Sequence, residues 1–493
     1  YNRAFYGCKS LSNITLPKNL KKIDAGSFYE CSNLNNIKIP SGVRYISNYA
    51  FNNNTTLDIS ATKLEKLEDG SYRVLTTIKI DGYFDYQKAN EVLTIVNNER
   101  ANNGLSALKM DRSLLETAMQ RAAESSIYWS HIRPDGSDCF TANSKMTREN
   151  IACGAWTAEQ VMNLWMNSSG HKANILSSDS KSIGIGCFNY NGVNYWVQCF
   201  GENEAEGTTI TENKNATSKI NIEADYVDLR LERPSMELKI GESQYNVIEN
   251  YECSYGLQLV KLNADSAIWK SSNEKIATVD DYGNVKGITP GKVTISAIIG
   301  EMELTYEVTI KLPFDDVNEN DWFYNAVKYT YCNKIMSGLN GNTFSPNTKV
   351  TRGMLVTILY NLEGHPSITG TSKFADVQNK NVYFYNAVVW ASNNNIVSGY
   401  ANGKFGPDDN ITREQLATIL YNYCRYKGKY QTVHADYSKF TDSNKISSFA
   451  KWGMNWAVGH KIVNGSNGKL NPQGTATRAE AAAMISNYCN TIK

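Results

Sequence analysis

Three arginines in the last third of the chain stand in equivalent places. Arg352, Arg413 and Arg478 each follow a threonine (Thr351, Thr412, Thr477) at the head of a helix-forming run. A guanidinium presents a planar fork that takes a carboxylate through two parallel hydrogen bonds, which the point charge of lysine does not reproduce. A helix start adds a positive dipole end and unpaired N–H groups, and both favour an anion. Residue type and placement therefore point to carboxylate recognition. The alternative is internal, each arginine capping or salt-bridging within its own helix pair.

These arginines close three copies of one unit. Phe314, Phe374 and Phe440 open the copies at spacings of 60 and 66, and Asp316, Asp376 and Asp442 follow two residues later. A helical run, a glycine loop leading to a proline, and the Thr-Arg pair complete each copy. This helix–loop–helix unit resembles the S-layer homology (SLH) domain in its usual triplet, over 313–365, 373–428 and 439–493. The resemblance implies docking onto a secondary cell-wall polysaccharide, often one bearing a pyruvate ketal and hence a carboxylate. Arg352, Arg413, Arg478, Asp316, Asp376 and Asp442 are its candidate binding residues. Trp322, Trp390 and Trp452 are further candidates, for stacking on sugar faces, and three weak sites on one polymer gain avidity. The family's closing Thr-Arg-Ala-Glu is whole only at Thr477 to Glu480. The second copy reads Thr412, Arg413, Glu414, Gln415 and the first Thr351, Arg352, Gly353, Met354, which favours sites at Arg413 and Arg478 over one at Arg352.

In the middle of the chain, apolar spacing predicts a helix over 87–103, stopped by Gly104, and a second over 113–126 with Ser113 as N-cap and Glu116 completing a capping box. Two strand-like runs flank an Asn191-Gly192 turn. The segments VNNERANNGLSALKMD, SHIRPDG, RENIACG, LWMNSSGHKANIL and IGIGCF…YWVQCFG, in that order, resemble the CAP superfamily (cysteine-rich secretory, antigen 5 and pathogenesis-related proteins) over 86–201. The implied fold is an α-β-α sandwich with His131, Glu149 and His171 in a shared cavity. Two imidazoles and a carboxylate form a zinc-type ligand set with a position left for water, and a His beside a Glu also serves proton transfer. A purely structural role, hydrogen-bonding the cavity loops, stands beside both. The family's fourth cavity residue, a glutamate three after the helix tryptophan, is Ser168 here, following Trp165. The tetrad is incomplete, which favours a non-enzymatic role and leaves a divalent metal such as zinc as the candidate cofactor. His365, His434 and His460 are expected as surface or core histidines.

At the N-terminal end, Phe5, Phe28 and Phe51 recur every 23 residues, as do Leu11, Leu34 and Leu57, and Cys8 and Cys31. Such a period means stacked turns that bury a shared apolar face. It resembles the BspA-like leucine-rich repeats over 1–60, a solenoid fragment. The chain opens inside this array, so further repeats and an export signal are expected upstream of Tyr1. Residues 61–85 are expected as a connector and 202–226 as a polar linker. Over 227–312, alternation such as Val293, Ile295 and Ala297 predicts half-buried strands, and WKSSNEKIATVDDYGNVKGITPGKVTISA resembles the group 2 bacterial Ig-like domains, small β-sandwiches.

Composition narrows the function. The 493 residues carry 50 Lys+Arg against 49 Asp+Glu, a net charge of +1, which lacks the basic excess of a nucleic-acid binder. No apolar run is long enough to span a membrane. Ten cysteines are too few for a disulfide-dense scaffold. Cys8 with Cys31, and Cys424 with Cys489, hold equivalent repeat positions and are expected in packing. Cys187 and Cys199 flank a hairpin turn and are one candidate bridge, and Cys253 and Cys332 lack an evident mate. The whole reads as a multi-domain α+β protein, secreted and held on a Gram-positive cell wall or S-layer. It displays the repeats and the CAP-like domain for adhesion to a host or bacterial ligand. The alternative is a metal-dependent or acid–base hydrolase of wall or host polymers.

Overall fold

The computed structural model describes residues 3–207, 216–250 and 260–492. The chain forms two compact units, 1–288 with 292–309, and 289–291 with 310–493.

In the first unit the 23-residue period becomes a stack of rings. Phe5, Phe28 and Phe51 lie face to face with centroids 5.1 and 5.0 Å apart, while Cys31, Leu34, Ile37 and Ile46 fill the space beneath. Strands β1 (Lys22–Ile23) and β3 (Tyr45–Ile46) pair in parallel, Lys22 opposite Tyr45, one period apart. Strands β2 (Asn36–Lys38) and β4 (Thr56–Asp58) also pair in parallel, but Ile37 faces Leu57. The third turn is therefore shorter, and Leu57 takes the place of Ile37 rather than of Leu34. Cys31 is buried, its thiol against the Phe5 carbonyl at 3.0 Å. Cys8 is exposed, because no described turn of chain covers its outer side.

Residues 61–85 continue this sheet. Strand β5 (Glu65–Lys66) pairs with β6 (Tyr72–Arg73), which pairs antiparallel with β3. Strand β7 (Thr77–Phe84) crosses into the next sheet. That sheet runs β12 (Ala216–Glu223), β7, β10 (Ser182–Tyr190), β11 (Val193–Gly201), β9 (Met146–Cys153), with β8 (Lys109–Met110) parallel to β10. Part of the expected linker, β12, is thus a sheet edge, and 208–215 lie outside the described residues.

Helices cover both faces of this sheet. On one, Ile183, Ile185, Cys187 and Trp196 pack with α1 (Tyr86–Asn102) and α3 (Ala158–Met166). On the other, α2 (Arg112–Ile127) lies directly on β10. Only glycine permits this approach: a Cβ on Gly184 would sit 2.0 Å from the Leu114 carbonyl oxygen, and one on Gly186 2.0 Å from that of Ala118. The N-cap of α2 is Asp111, which accepts the Leu114 N–H at 3.0 Å and the Ser113 hydroxyl at 2.9 Å. The carboxylate reaches the free amides first, so Ser113 serves it instead of capping. A short helix α4 (Ser169–Ile175) follows α3. Asn191 and Gly192 have φ of 50° and 79° and close a two-residue hairpin with Tyr190 opposite Val193. Cys187 faces Trp196 and Cys199 faces Gly184. The two thiols point to opposite sides of the sheet, which excludes the expected bridge. The described residues between 229 and 311 form strands in three small sheets, with Val293, Ile295 and Ala297 buried on one of them. Cys253 lies outside the described residues.

The second unit pairs its helices across copies. Helix α5 (Tyr324–Cys332) packs on α10 (Arg478–Thr491), α6 (Arg352–Leu362) on α7 (Tyr385–Asn393), and α8 (Arg413–Tyr426) on α9 (Lys451–Gly459). The second helix of each copy meets the first helix of the next, and the third copy closes onto the first. Among the described residues, no helix is long and apolar enough to cross a membrane.

Candidate functional site

Strand pairing positions the central cluster. Glu149 on β9 lies opposite Cys199, on the α2 side of the sheet, where Arg121 projects from mid-helix. Arg121 Nε donates to Glu149 Oε2 at 2.9 Å and Nη2 to Oε1 at 3.2 Å. Its Nη1 donates to Glu124 Oε2 at 2.8 Å, and Nη2 also reaches the Ser130 carbonyl at 3.0 Å. Arg133 grips the same Glu124 from outside at 3.1 and 2.7 Å. Charges alternate along the row Arg133, Glu124, Arg121, Glu149. A buried charge is costly unless paired and hydrogen-bonded, and here each one is.

His131 completes the row, its Nδ1 2.8 Å from Glu149 Oε1. Burial pushes the Glu149 carboxyl up, but His131 and the Arg121 charge outweigh it and hold its pKa below the usual value. Glu149 is therefore a standing carboxylate, a ligand or base rather than a general acid. His171, on α4, is half-buried, and burial together with the neighbouring His131 lowers its pKa. Its backbone is fixed by Asn150, which donates to the His171 carbonyl at 3.1 Å, and Asn174 bonds Asn150 Oδ1 at 2.8 Å. Ser168 stands at the N-cap of α4 without a side-chain capping bond.

A fourth side chain joins them. The segment from His131 to Cys139 doubles back on itself. Ile132 bridges Asp138, Arg133 N–H donates to the Ser137 carbonyl at 2.8 Å, and Cys139 N–H donates to the His131 carbonyl at 3.0 Å. Asp135 pins the tip through the Ser137 amide and hydroxyl. This brings the Cys139 sulfur beside the imidazole. The ligand atoms of His131, Cys139 and Glu149 all lie within 4.8 Å of one another. His171 is not in that group. Sequence reasoning overlooked Cys139, Arg121, Glu124 and Arg133. The Pro134-Asp135-Gly136 turn signal was the available clue to Cys139.

In the second unit the three arginines hold the ring together. Arg352 Nε donates to the Phe405 carbonyl and Nη2 to that of Ser398, both at 2.9 Å. Arg413 Nε donates to the Leu470 carbonyl at 2.9 Å and Nη1 to Glu480 Oε1 at 2.8 Å. Arg478 Nε donates to the Phe344 carbonyl at 2.8 Å and Nη2 to that of Ser337 at 2.5 Å. Each arginine thus grips the glycine loop of the following copy, the last gripping the first. Burial lowers the Arg478 pKa to about 10, Asp316 pulling against it. The aspartates set those same loops. Asp316 accepts the amides of Phe344 and Ser345, Asp376 those of Phe405 and Gly406, and Asp442 those of Leu470 and Asn471, all within 2.7–2.8 Å. The preceding threonines cap their helices, Thr477 with Glu480 and Thr412 with Gln415 as full capping boxes. Glu480 so serves two partners, its own N-cap and Arg413, and the matching places in the other copies hold Gln415 and Met354.

The tryptophans divide. Trp390 is buried among Tyr360, Tyr423 and Tyr426, out of reach of a sugar. Trp322 and Trp452 are 69% and 72% exposed. Trp322, Tyr383 and Phe449 each stand immediately before the N-cap residue of α5, α7 and α9, and all three are exposed.

Comparison with known proteins finds four family profiles along the chain. The BspA type leucine rich repeat region matches residues 1–88 and the cysteine-rich secretory protein family 93–200. The group 2 bacterial Ig-like domain matches 245–310, and the S-layer homology domain matches 313–353, 373–417 and 439–482. An endoglucanase of Bacillus sp. (strain KSM-635) is 30% identical over 175 residues, 35% of this chain and 18% of that protein. The surface-layer 125 kDa protein of Lysinibacillus sphaericus is 31% identical over 165 residues, 32% of this chain and 13% of that protein. The uncharacterized protein YkwD of Bacillus subtilis (strain 168) is 33% identical over 123 residues, 23% of this chain and 46% of that protein. The chain spans less than half the length of each of these relatives.

Proposed function

We propose that this chain is part of a secreted cell-surface protein, anchored non-covalently to a pyruvylated secondary cell-wall polysaccharide of a Gram-positive bacterium. The anchor is the three S-layer homology units, a helical triplet. The displayed part is the cysteine-rich secretory domain with the leucine-rich repeats, a solenoid that serves adhesion or interaction. The triple match to the S-layer homology profile carries this reading, and the similarity to a surface-layer protein supports it.

The side chains best placed to meet the polymer are the exposed aromatics Trp322, Tyr383, Phe449 and Trp452. A flat ring offers apolar area for the CH face of a sugar at low entropic cost. The test is co-sedimentation of the purified chain with Gram-positive walls, intact or stripped of secondary polysaccharide by acid. Pelleting with intact walls alone is expected. Equal pelleting with stripped walls, or none with either, overturns the reading.

A further inference from the structure

We propose that the leucine-rich repeats bind an acidic saccharide in a notch over Gly26, with the sugar ring on Tyr29 and Tyr49 and its carboxylate on Arg3. This names a ligand class for the displayed solenoid, and so it rests on the reading of that solenoid as an adhesive surface.

The notch follows from the register of the repeats. Arg3, Gly26 and Tyr49 stand at equivalent places in successive turns, and Tyr6, Tyr29 and Asn52 form a second row three residues on. A glycine in the middle of the first row leaves a gap between two long side chains. Backbone and packing both require it there. Its φ is 73°, a left-handed angle that is costly for a residue with a Cβ. Arg3 crosses directly over it, so a Cβ would sit 2.8 Å from Arg3 Cγ. The outcome is a hollow of about 380 Å³ lined by Arg3, Tyr6, Ala25, Gly26, Tyr29 and Tyr49.

The walls select the ligand. Tyr6 and Tyr29 stack with centroids 6.1 Å apart, and Tyr6, Tyr29 and Tyr49 are all exposed. Such rings offer flat apolar area to the CH face of a sugar, with a hydroxyl at the edge and little entropy to lose. Arg3 lies over the Tyr6 ring at 5.5 Å and meets no carboxylate among the described residues. Its planar fork is therefore open to a carboxylate from outside. Glu30 accepts the Tyr6 hydroxyl at 2.9 Å and keeps acceptor sites for sugar hydroxyls. A peptide fits this surface less well. A strand adds to an edge through unpaired backbone groups, and here the rungs are spent between turns. The Gly26 amide donates to the Tyr49 carbonyl at 2.8 Å, that of Gly7 to Tyr29 at 2.9 Å and that of Phe5 to Ser27 at 2.8 Å.

The test is calorimetric titration of the full chain in solution, without walls. The probes are sialyllactose against lactose, and tetragalacturonate against its methyl ester. At least one acid should bind about tenfold or more tightly than its uncharged counterpart, and which one does so identifies the source of the carboxylate. Arg3→Gln should weaken that acid by about tenfold or more, and Tyr49→Ala by about threefold to tenfold. Both side chains are exposed, so the fold should stand. Gly26→Asn, which tolerates the positive φ and displaces Arg3, should abolish binding with the first unit still melting cooperatively. Trp322→Ala in the second unit should leave the titration unchanged. Arg3→Gln should also pellet with intact walls as the parent does, so failure of this site and failure of the anchor are read separately. Binding of neither acid, equal binding of the uncharged sugars, or acid binding that survives Arg3→Gln overturns the proposal.

Discussion

Arg478, at the head of the last helix, donates from Nε to the main-chain oxygen of Phe344 at 2.8 Å, a partner 134 residues earlier in the chain. Asp316 holds the amide of that same Phe344 at 2.8 Å. One residue of the first copy is thus gripped by an acid from its own copy and a base from the third. Replacing Arg478 by Ala strands the carbonyl of the buried Phe344, while that of the exposed Ser337 turns to water. At about 1–3 kcal/mol for an unsatisfied buried group, the second unit should lose about 1–3 kcal/mol. The calorimetric transition of that unit should shift down while that of the first stays in place.

Arg121 sits between two carboxylates with almost no solvent contact. Arg121→Met leaves Glu149 and Glu124 without their shared cation. Breaking one side of a buried pair costs about 3–5 kcal/mol, so the first unit should melt earlier by a corresponding amount. The double variant with Glu149→Gln should recover part of the loss. A double-mutant cycle on the melting transition measures the coupling, and additive effects would contradict the network.

The first unit should also respond to pH through Asp225. Burial raises its carboxyl from 3.8 to about 6, against the opposing pull of the Thr76 amide and the Arg73 guanidinium. A folded pKa above the unfolded one means the native state favours the protonated acid. That contribution is fully present below about pH 4 and is lost as pH rises through about 6. Asp225→Asn keeps the shape and removes the proton. Denaturant midpoints between pH 4 and 7 should fall more steeply for the parent than for the variant.

Gly184 tests the packing that sets the cluster. A methyl there would meet the Leu114 carbonyl oxygen at 2.0 Å, so Gly184→Ala must push α2 off the sheet. A loss of at least about 1–3 kcal/mol is expected.

Wall binding should separate stability from recognition. Trp322→Ala and Trp452→Ala remove exposed rings and should change stability by less than about 0.5 kcal/mol. They should nonetheless weaken sedimentation with intact walls. Unchanged sedimentation would move the contact surface away from these rings.

Much of this was legible where the signal repeats. Phe5, Phe28 and Phe51 announce a ring stack, and the Asn191-Gly192 pair announces its hairpin, because each is set by local spacing. The misses are of two kinds. Some are local competitions: Asp111 outbids Ser113 for the free amides of α2, and the third repeat turn drops residues, so Leu57 meets Ile37. Others depend on partners brought together only by folding. Arg121 on α2 finds Glu149 on the strand beneath it, and Arg352 finds loop carbonyls in the next copy. The aspartates of the three copies, candidate binding residues by the resemblance, aim their oxygens at backbone amides of the glycine loops.

The closure of the third copy onto the first has a mechanical consequence. A pull applied to this unit from its N-terminal side meets α5 first. The partner of α5 is α10, from the far end of the same ring. Peeling cannot proceed one copy at a time from the loaded end, since the first helix to be pulled is clasped by the last. The load is shared across the ring, and a chain cut before α10 would lose the clasp at the point where force arrives.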